Sequence, residues 1–217
     1  MAAIFTRRAD LFMHVALAVA VIATVCFVLL IWGVPRMNYN TQVGFTPAQP
    51  VPFSHKHHVS GLGIDCRYCH ASVEIASNAG MPPTETCMTC HSQIWTNAAI
   101  LAPVRASLAE HQPLRWHSVY TLPDYVYFDH SIHIAKGVGC TDCHGAIGDM
   151  PLTRKATTLY MGWCLDCHRN PAPHLRPVAD VFDPHWQRTA TTPSGEELLS
   201  RYHIHVQTLA DCSVCHR

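Results

Sequence analysis

The hydrophobic pattern changes abruptly near residue 35. From Leu11 to Val34 the chain is apolar apart from His14 and Thr24, with no repeating polar face. That stretch predicts one helix long enough to cross a bilayer core of about 30 Å. Beyond it, apolar residues come in short groups separated by turn formers. Pro47, Pro50 and Pro52 break one region, and Pro171, Pro173, Pro177, Pro184 and Pro193 break another. This predicts short helices, long irregular connections and little sheet. Thr84 reads as the N-cap of a helix running to about Ala102, where Pro103 interrupts it. Ser194-Gly195-Glu196-Glu197 reads as a capping box opening a last helix toward Tyr202.

The apolar segment reads as an uncleaved anchor. A signal peptide has an apolar region of about 7–15 residues ending in a small-x-small site, and Leu30-Ile31-Trp32-Gly33-Val34-Pro35 offers none. Val25 is bulky where lipoprotein processing at Cys26 would need a small residue, so Cys26 reads as an apolar side chain. Arg7 and Arg8 precede the helix, which holds the N-terminus in the cytoplasm of a single-pass inner-membrane protein and places residues 36–217 on the periplasmic side, with Trp32 at the far interface. His14, within one turn of the helix start, reads as an interfacial histidine rather than a quinone contact. With 15 basic and 15 acidic side chains and no basic run, the chain has no electrostatic footprint for nucleic acid.

Chemistry enters through a five-fold repeat. Cys-x-x-Cys-His stands at Cys66, Cys69 and His70; at Cys87, Cys90 and His91; at Cys140, Cys143 and His144; at Cys164, Cys167 and His168; and at Cys212, Cys215 and His216. The pattern is that of c-type haem attachment, in which two thiols add across the porphyrin vinyl groups and the adjoining imidazole becomes the proximal iron ligand. Zinc cages and disulfides also use paired cysteines, but neither requires a histidine at the same offset five times. Five covalent haems are the direct reading. From Pro35 to Arg217 there are 183 residues for five macrocycles, so the haems are expected to form the core themselves.

An internal repeat orders these motifs. Phe53-Ser54-His55-Lys56-His57-His58 precedes the first motif and Phe128-Asp129-His130-Ser131-Ile132-His133 the third; each is followed by a Gly-x-Gly, at Gly61/Gly63 and Gly137/Gly139. The expected organisation is a cytoplasmic N-terminus (1–10), the anchor (11–34), a linker (35–52), a dihaem module (53–91), a connector (92–127), a second dihaem module (128–168), a second connector (169–211) and the fifth motif (212–217). Seventeen histidines leave twelve after the proximal five. His55, His58, His130 and His133 hold equivalent places, and a three-residue offset keeps two imidazoles near one helical face, so these four are the expected distal ligands, each serving a different haem. His57 has no counterpart in the second module, where Ile132 stands, and reads as solvent-facing. The fifth distal ligand is open among His203, Met150 and Met161, with His205 and His117 as further candidates; methionine opposite histidine would raise that haem's potential. His111, His174 and His185 read as surface residues.

At these residues, and in Pro82-Pro83-Thr84-Glu85-Thr86-Cys87-Met88, His91-Ser92-Gln93-Ile94-Trp95, Leu122 to Phe128, Met161-Gly162-Trp163-Cys164 and Asp211 to Arg217, the chain resembles the membrane-anchored pentahaem cytochrome subunit of alternative complex III, among the class III multihaem cytochromes. The resemblance implies a quinol:electron-acceptor oxidoreductase in which an iron–sulfur subunit, multispanning quinol-binding subunits and a monohaem cytochrome c accompany this chain. Its own part would be electron relay rather than catalysis, since no Gly-rich phosphate loop or hydroxyl–histidine–carboxylate set is evident in the sequence. Two other functions fit the motifs: a quinol dehydrogenase cytochrome feeding a soluble periplasmic reductase, and a multihaem reductase with one open iron.

Overall fold

In the computed structural model, residues 6–216 are described; residues 1–5 of the expected cytoplasmic segment and Arg217 of the fifth motif segment lie outside the described residues. The Thr6 hydroxyl accepts from the Ala9 amide at 3.3 Å, and this cap starts helix α1 (Arg7–Gly33) four residues before the apolar run. Its 27 residues rise about 40 Å, enough to cross a bilayer core. Asp10 lies in the first turn, where a carboxylate suits the helix dipole, and His14 Nδ1 bonds the Asp10 carbonyl at 2.8 Å. A tight turn at Val34–Arg36, which contains Pro35, follows the helix. There Arg36 donates to the Trp32 carbonyl at 2.6 Å and lies 4.6 Å over its ring. A short helix α2 (Asn38–Thr41) follows, and the chain divides into two units between Val43 and Gly44.

The expected linker is therefore shared between the units. Residues 44–52 belong to the second, where Gly44 N donates to Lys155 O at 2.8 Å and Val51 is buried. This unit contains a π-helical turn (Lys56–Gly61) and the helices α3 (Cys66–Cys69), α4 (Thr84–His91), α5 (Ala102–Glu110), α6 (His130–Ala135), α7 (Cys140–His144), α8 (Met161–Arg169), α9 (Gly195–Arg201) and α10 (Cys212–Cys215). Five of them carry the five Cys-x-x-Cys-His motifs. No strand occurs among the described residues, where the only pairings are isolated antiparallel bridges, Val126 with His216 and Val138 with Leu175.

Two helix boundaries differ from expectation. The helix expected from Thr84 to about Ala102 stops at His91, the left-handed backbone at Trp95 (φ 55°) bars its continuation, and a separate helix, α5, begins at Ala102. Pro103 starts α5 rather than interrupting a helix, since a first-turn proline sacrifices no intrahelical bond. Pro83, not Thr84, is the N-cap of α4; the Thr84 hydroxyl instead bonds Ser107 at 2.6 Å in a buried contact that joins α4 to α5. The capping box at Ser194 is as expected: its hydroxyl accepts from Glu197 N at 3.2 Å and its amide donates to Glu197 Oε2 at 2.7 Å.

Ordinary hydrophobic packing is sparse. Ten apolar side chains are buried among the described residues, and the clusters they form are small: Val51, Leu101 and Val104 between α4 and α5, and Val73, Ile134 and Val181 beside α6. In the second unit, many of the remaining apolar side chains, among them Leu114, Trp163 and Phe182, line a shared internal space.

Candidate cofactor site

All ten motif cysteines and all five motif histidines line one cavity of about 2840 Å³. That is several times the roughly 300–1,000 Å³ of an ordinary small-molecule site. Each pair of cysteines is brought to one side of its short helix by the three-residue offset. At the first motif the Asp65 carboxylate sets the register, accepting from Arg67 N at 2.8 Å as the N-cap of α3. None of the cysteines is in a disulfide, and among the described residues no three His, Cys, Asp or Glu side chains converge as a zinc cage requires.

The histidines are oriented by their other nitrogen. His70 Nδ1 donates to Gly80 O at 2.7 Å, His91 to Ile94 O at 3.1 Å, His168 to Leu209 O at 2.9 Å and His216 to Tyr125 O at 3.2 Å. The expected distal set behaves alike: His58 bonds Ser54 O at 2.8 Å, His130 bonds Ser77 O at 2.7 Å and His133 bonds Asp129 O at 2.7 Å, while His55 Nδ1 pairs with the Thr153 hydroxyl at 3.1 Å. A carbonyl only accepts, so in the seven carbonyl-bonded rings Nδ1 carries a proton and the neutral ring keeps its Nε2 lone pair for a metal, whereas the Thr153 hydroxyl leaves either tautomer open to His55.

The repeat is reproduced in three dimensions. Phe53 stacks on His58 with ring centres 4.4 Å apart and meets His55 edge-on at 5.0 Å; Phe128 stacks on His133 at 4.6 Å and meets His130 edge-on at 4.8 Å. These rings then face motif histidines: His58 lies 6.2 Å from His91, His130 lies 6.4 Å from His144, and His133 lies 6.2 Å from His168. Two imidazoles sharing one metal at about 2.0–2.1 Å per bond, with about 1.1 Å from nitrogen to ring centre, would stand about 6.3 Å apart. His55 neighbours His70: burial, then the charges of His70 and His58, lower its pKa to about 4. His144 is likewise lowered to about 4 by burial and then by His130, His70 and His55.

Motifs distant in sequence come close to one another. The second meets the first where Tyr68 bonds Thr89 through their hydroxyls at 2.7 Å, and the Cys69 thiol is pushed up by burial and then by Cys87. The first meets the third at Cys66 and Cys140, where the neighbouring thiol lowers the pKa of Cys66 and raises that of Cys140. The third meets the fourth at Cys143, pushed up to about 12 by burial, by Asp142 and by Cys167 and Cys164. The fourth meets the fifth at Cys164, raised by burial and then by Cys215. These neighbours link the second motif with the first, the first with the third, the third with the fourth and the fourth with the fifth.

The remaining candidates separate by position. Met161 and His117 line the cavity; Met150 is buried, and neither it nor His203 nor His205 is on the wall. His57 is exposed, with its ring 6.3 Å from Trp95. His174 and His185 are substantially exposed yet bonded, to Asp142 and Asp149. A hydroxyl–histidine–carboxylate group does exist: Ser60 Oγ lies 3.1 Å from His185 Nε2, but it also bonds Asp149 Oδ1 and Gly148 O, both at 2.8 Å. A serine bonded to both the carboxylate and a carbonyl is not held by the imidazole as a nucleophile. It ties the π-helical turn to residues 148 and 149. Sequence reasoning missed this link, and also Arg176, a buried cation paired with Asp142 inside the third motif; nothing in His174-Leu175-Arg176-Pro177 marks it.

Comparison with known proteins agrees with this donor set. Residues 126–217 match the family model for cytochrome c7 and related cytochrome c. Over 114 residues the chain is 34% identical to the multiheme cytochrome c subunit of menaquinone reductase from Nitratidesulfovibrio vulgaris (strain Hildenborough), covering 52% of this chain and 51% of the relative. The chain thus spans about half the length of the curated relative it matches. Both matched descriptions are of c-type cytochromes, the second of a multihaem one. Paired thiols, imidazoles with a free Nε2 and a common apolar cavity fit the c-type haem group.

Proposed function

We propose that the chain is the electron-transfer subunit of a quinone-linked membrane complex of the alternative complex III type, carrying five c-type haems on the periplasmic side. The supporting observation is the single cavity lined by all fifteen motif residues. Cys66 and Cys69, Cys87 and Cys90, Cys140 and Cys143, Cys164 and Cys167, and Cys212 and Cys215 would hold the haems by thioether bonds. When bound, each haem iron supplies a one-electron couple. The ring distances support the ligand pairs His91 with His58, His144 with His130 and His168 with His133, which leaves His55, on the same cavity wall, to complete the site of His70. For the fifth site we assign Met161 opposite His216. Met161 lies one turn before Cys164 on α8, whose thiol pKa is raised by burial and then by Cys215, and Met161 is on the cavity wall. Leu159, at φ 54°, turns the chain into that helix.

The protein's part is to fix imidazole tautomers through backbone carbonyls, exclude water, and hold the five sites in one row. The second and fifth sites end the row and are the places for electron entry and exit. Helix α1 would anchor the unit, its N-terminus cytoplasmic, beside the quinone-binding, iron–sulfur and monohaem cytochrome subunits. The similarity to a menaquinone reductase subunit favours menaquinone as the lipid carrier and leaves a second reading, in which electrons run toward the quinone. Isolation in mild detergent with neighbours identified by mass tests the assignment. Haem reduction by menaquinol in the complex, absent in the chain purified alone, supports it; menaquinol oxidation by the chain alone overturns it.

A further inference from the structure

The Gly-x-Gly before the third motif serves a purpose that the one before the first does not. Gly137 and Gly139 are both buried, and a Cβ on either would overlap Arg176: the carbonyl oxygen at Gly137, the guanidinium carbon and Nε at Gly139. A Cβ on Gly63 would meet nothing within 4 Å, and one on Gly61 only Lys56 O at 3.3 Å. The second module has a slot, and Arg176 fills it. Arg176 N donates to Gly137 O at 2.9 Å, next to the bridge between Val138 and Leu175, so backbone pairing carries the side chain into place.

Arg176 is 5% exposed. Its Nη2 donates to Asp142 Oδ2 at 2.8 Å and to Thr141 Oγ1 at 3.0 Å, the guanidinium lies 4.7 Å over the Trp186 ring, and Nε is buried without a partner. Thr141 and Asp142 are the two residues between Cys140 and Cys143. The other Asp142 oxygen faces His174 Nδ1 at 3.4 Å. The first motif has no equivalent: Arg67 is about half exposed and turns to Asp65.

We infer that Arg176 is a positioning residue that sets the reduction potential of the third site, the middle of the row, by holding a full positive charge on its attachment loop and cancelling the Asp142 carboxylate. The inference rests on haem being bound at that motif, as proposed above. Net charge and burial are levers by which a protein sets haem potential, and both are strong where water is excluded. Arginine does not deprotonate in proteins, so the charge is fixed across the working pH range. Without it, an unbalanced carboxylate would stand beside the site and oppose an added electron.

The test is a spectroelectrochemical redox titration of the full chain in detergent, after intact mass has counted the haems. R176M should lower the midpoint of the third site most, with a smaller drop at the fourth, whose Cys167 also feels Asp142, R176K should stay near the parent, and R176M/D142N should recover from R176M. D142N alone should raise the same midpoint. Five unchanged midpoints in a fully loaded R176M, or no recovery in the double variant, would overturn the inference. Where R176M does not load fully, D142N decides: a raised midpoint supports the inference and an unchanged one overturns it. A parent chain lacking haem would overturn the proposed function instead, so the two failures are distinguishable.

Discussion

Alanine at Gly139 should destabilise the protein far more than alanine at the equivalent glycine of the first module. Gly139 has φ −78° and ψ 153°, a backbone any residue adopts, so the whole cost is steric. Its new methyl would occupy the position of the Arg176 guanidinium. If the guanidinium shifts within its slot, the cost is the ~1–3 kcal/mol of an overpacked interior. If it parts from Asp142, whose side chain is 20% exposed, the cost rises toward the ~3–5 kcal/mol of a broken buried pair. We expect about 3 kcal/mol, where the two ranges meet. Gly63, at φ +69° with open space around it, should cost only the ~1–2 kcal/mol of a left-handed residue. Urea midpoints of the loaded protein, followed by far-ultraviolet circular dichroism, measure both. The double variant G139A/R176A should be no less stable than R176A. Equal losses for G139A and G63A, or full additivity with R176A, would refute the steric argument.

Other expectations concern single sites. H58A, H130A and H133A should each convert one haem to high spin, and magnetic circular dichroism of proteins also changed at His91, His144 or His168 should place the altered haem at the paired motif. M161A should open the fifth site alone, binding carbon monoxide at one haem in five and lowering that site's potential; five closed irons in M161A would exclude methionine there. T84V removes a buried hydrogen bond of 2.6 Å to Ser107, whose own hydrogen goes to Gln112 O. The loss should be about 1 kcal/mol in a denaturant titration, because no donor is left unpaired.

The sequence was most informative where a residue's role depends on spacing alone. The five motifs, the Phe-x-His-x-x-His repeat and the Ser194 capping box were all visible, since each is defined by offsets along one turn of chain. Helix ends at α4 and α5 were not, because the left-handed turn at Trp95 is a tertiary outcome and Pro103 is compatible with either a break or a start. The pairing of His58 with the second motif, and of His130 and His133 with the third and fourth, depends on how loops fold back over the cavity. Arg176 was least visible. It acts through two glycines some forty residues earlier in the chain, whose only sequence signal was a repeat that reads the same in both modules.

Thioether attachment at all five motifs is the claim on which the row of sites, the axial pairs and the function of Arg176 depend. Intact mass of the purified chain, repeated for five variants with both motif cysteines changed to alanine one motif at a time, tests it directly. The parent should exceed the polypeptide by five haems and each variant by four. A parent mass equal to the polypeptide, or a motif whose removal leaves the mass excess unchanged, would contradict it.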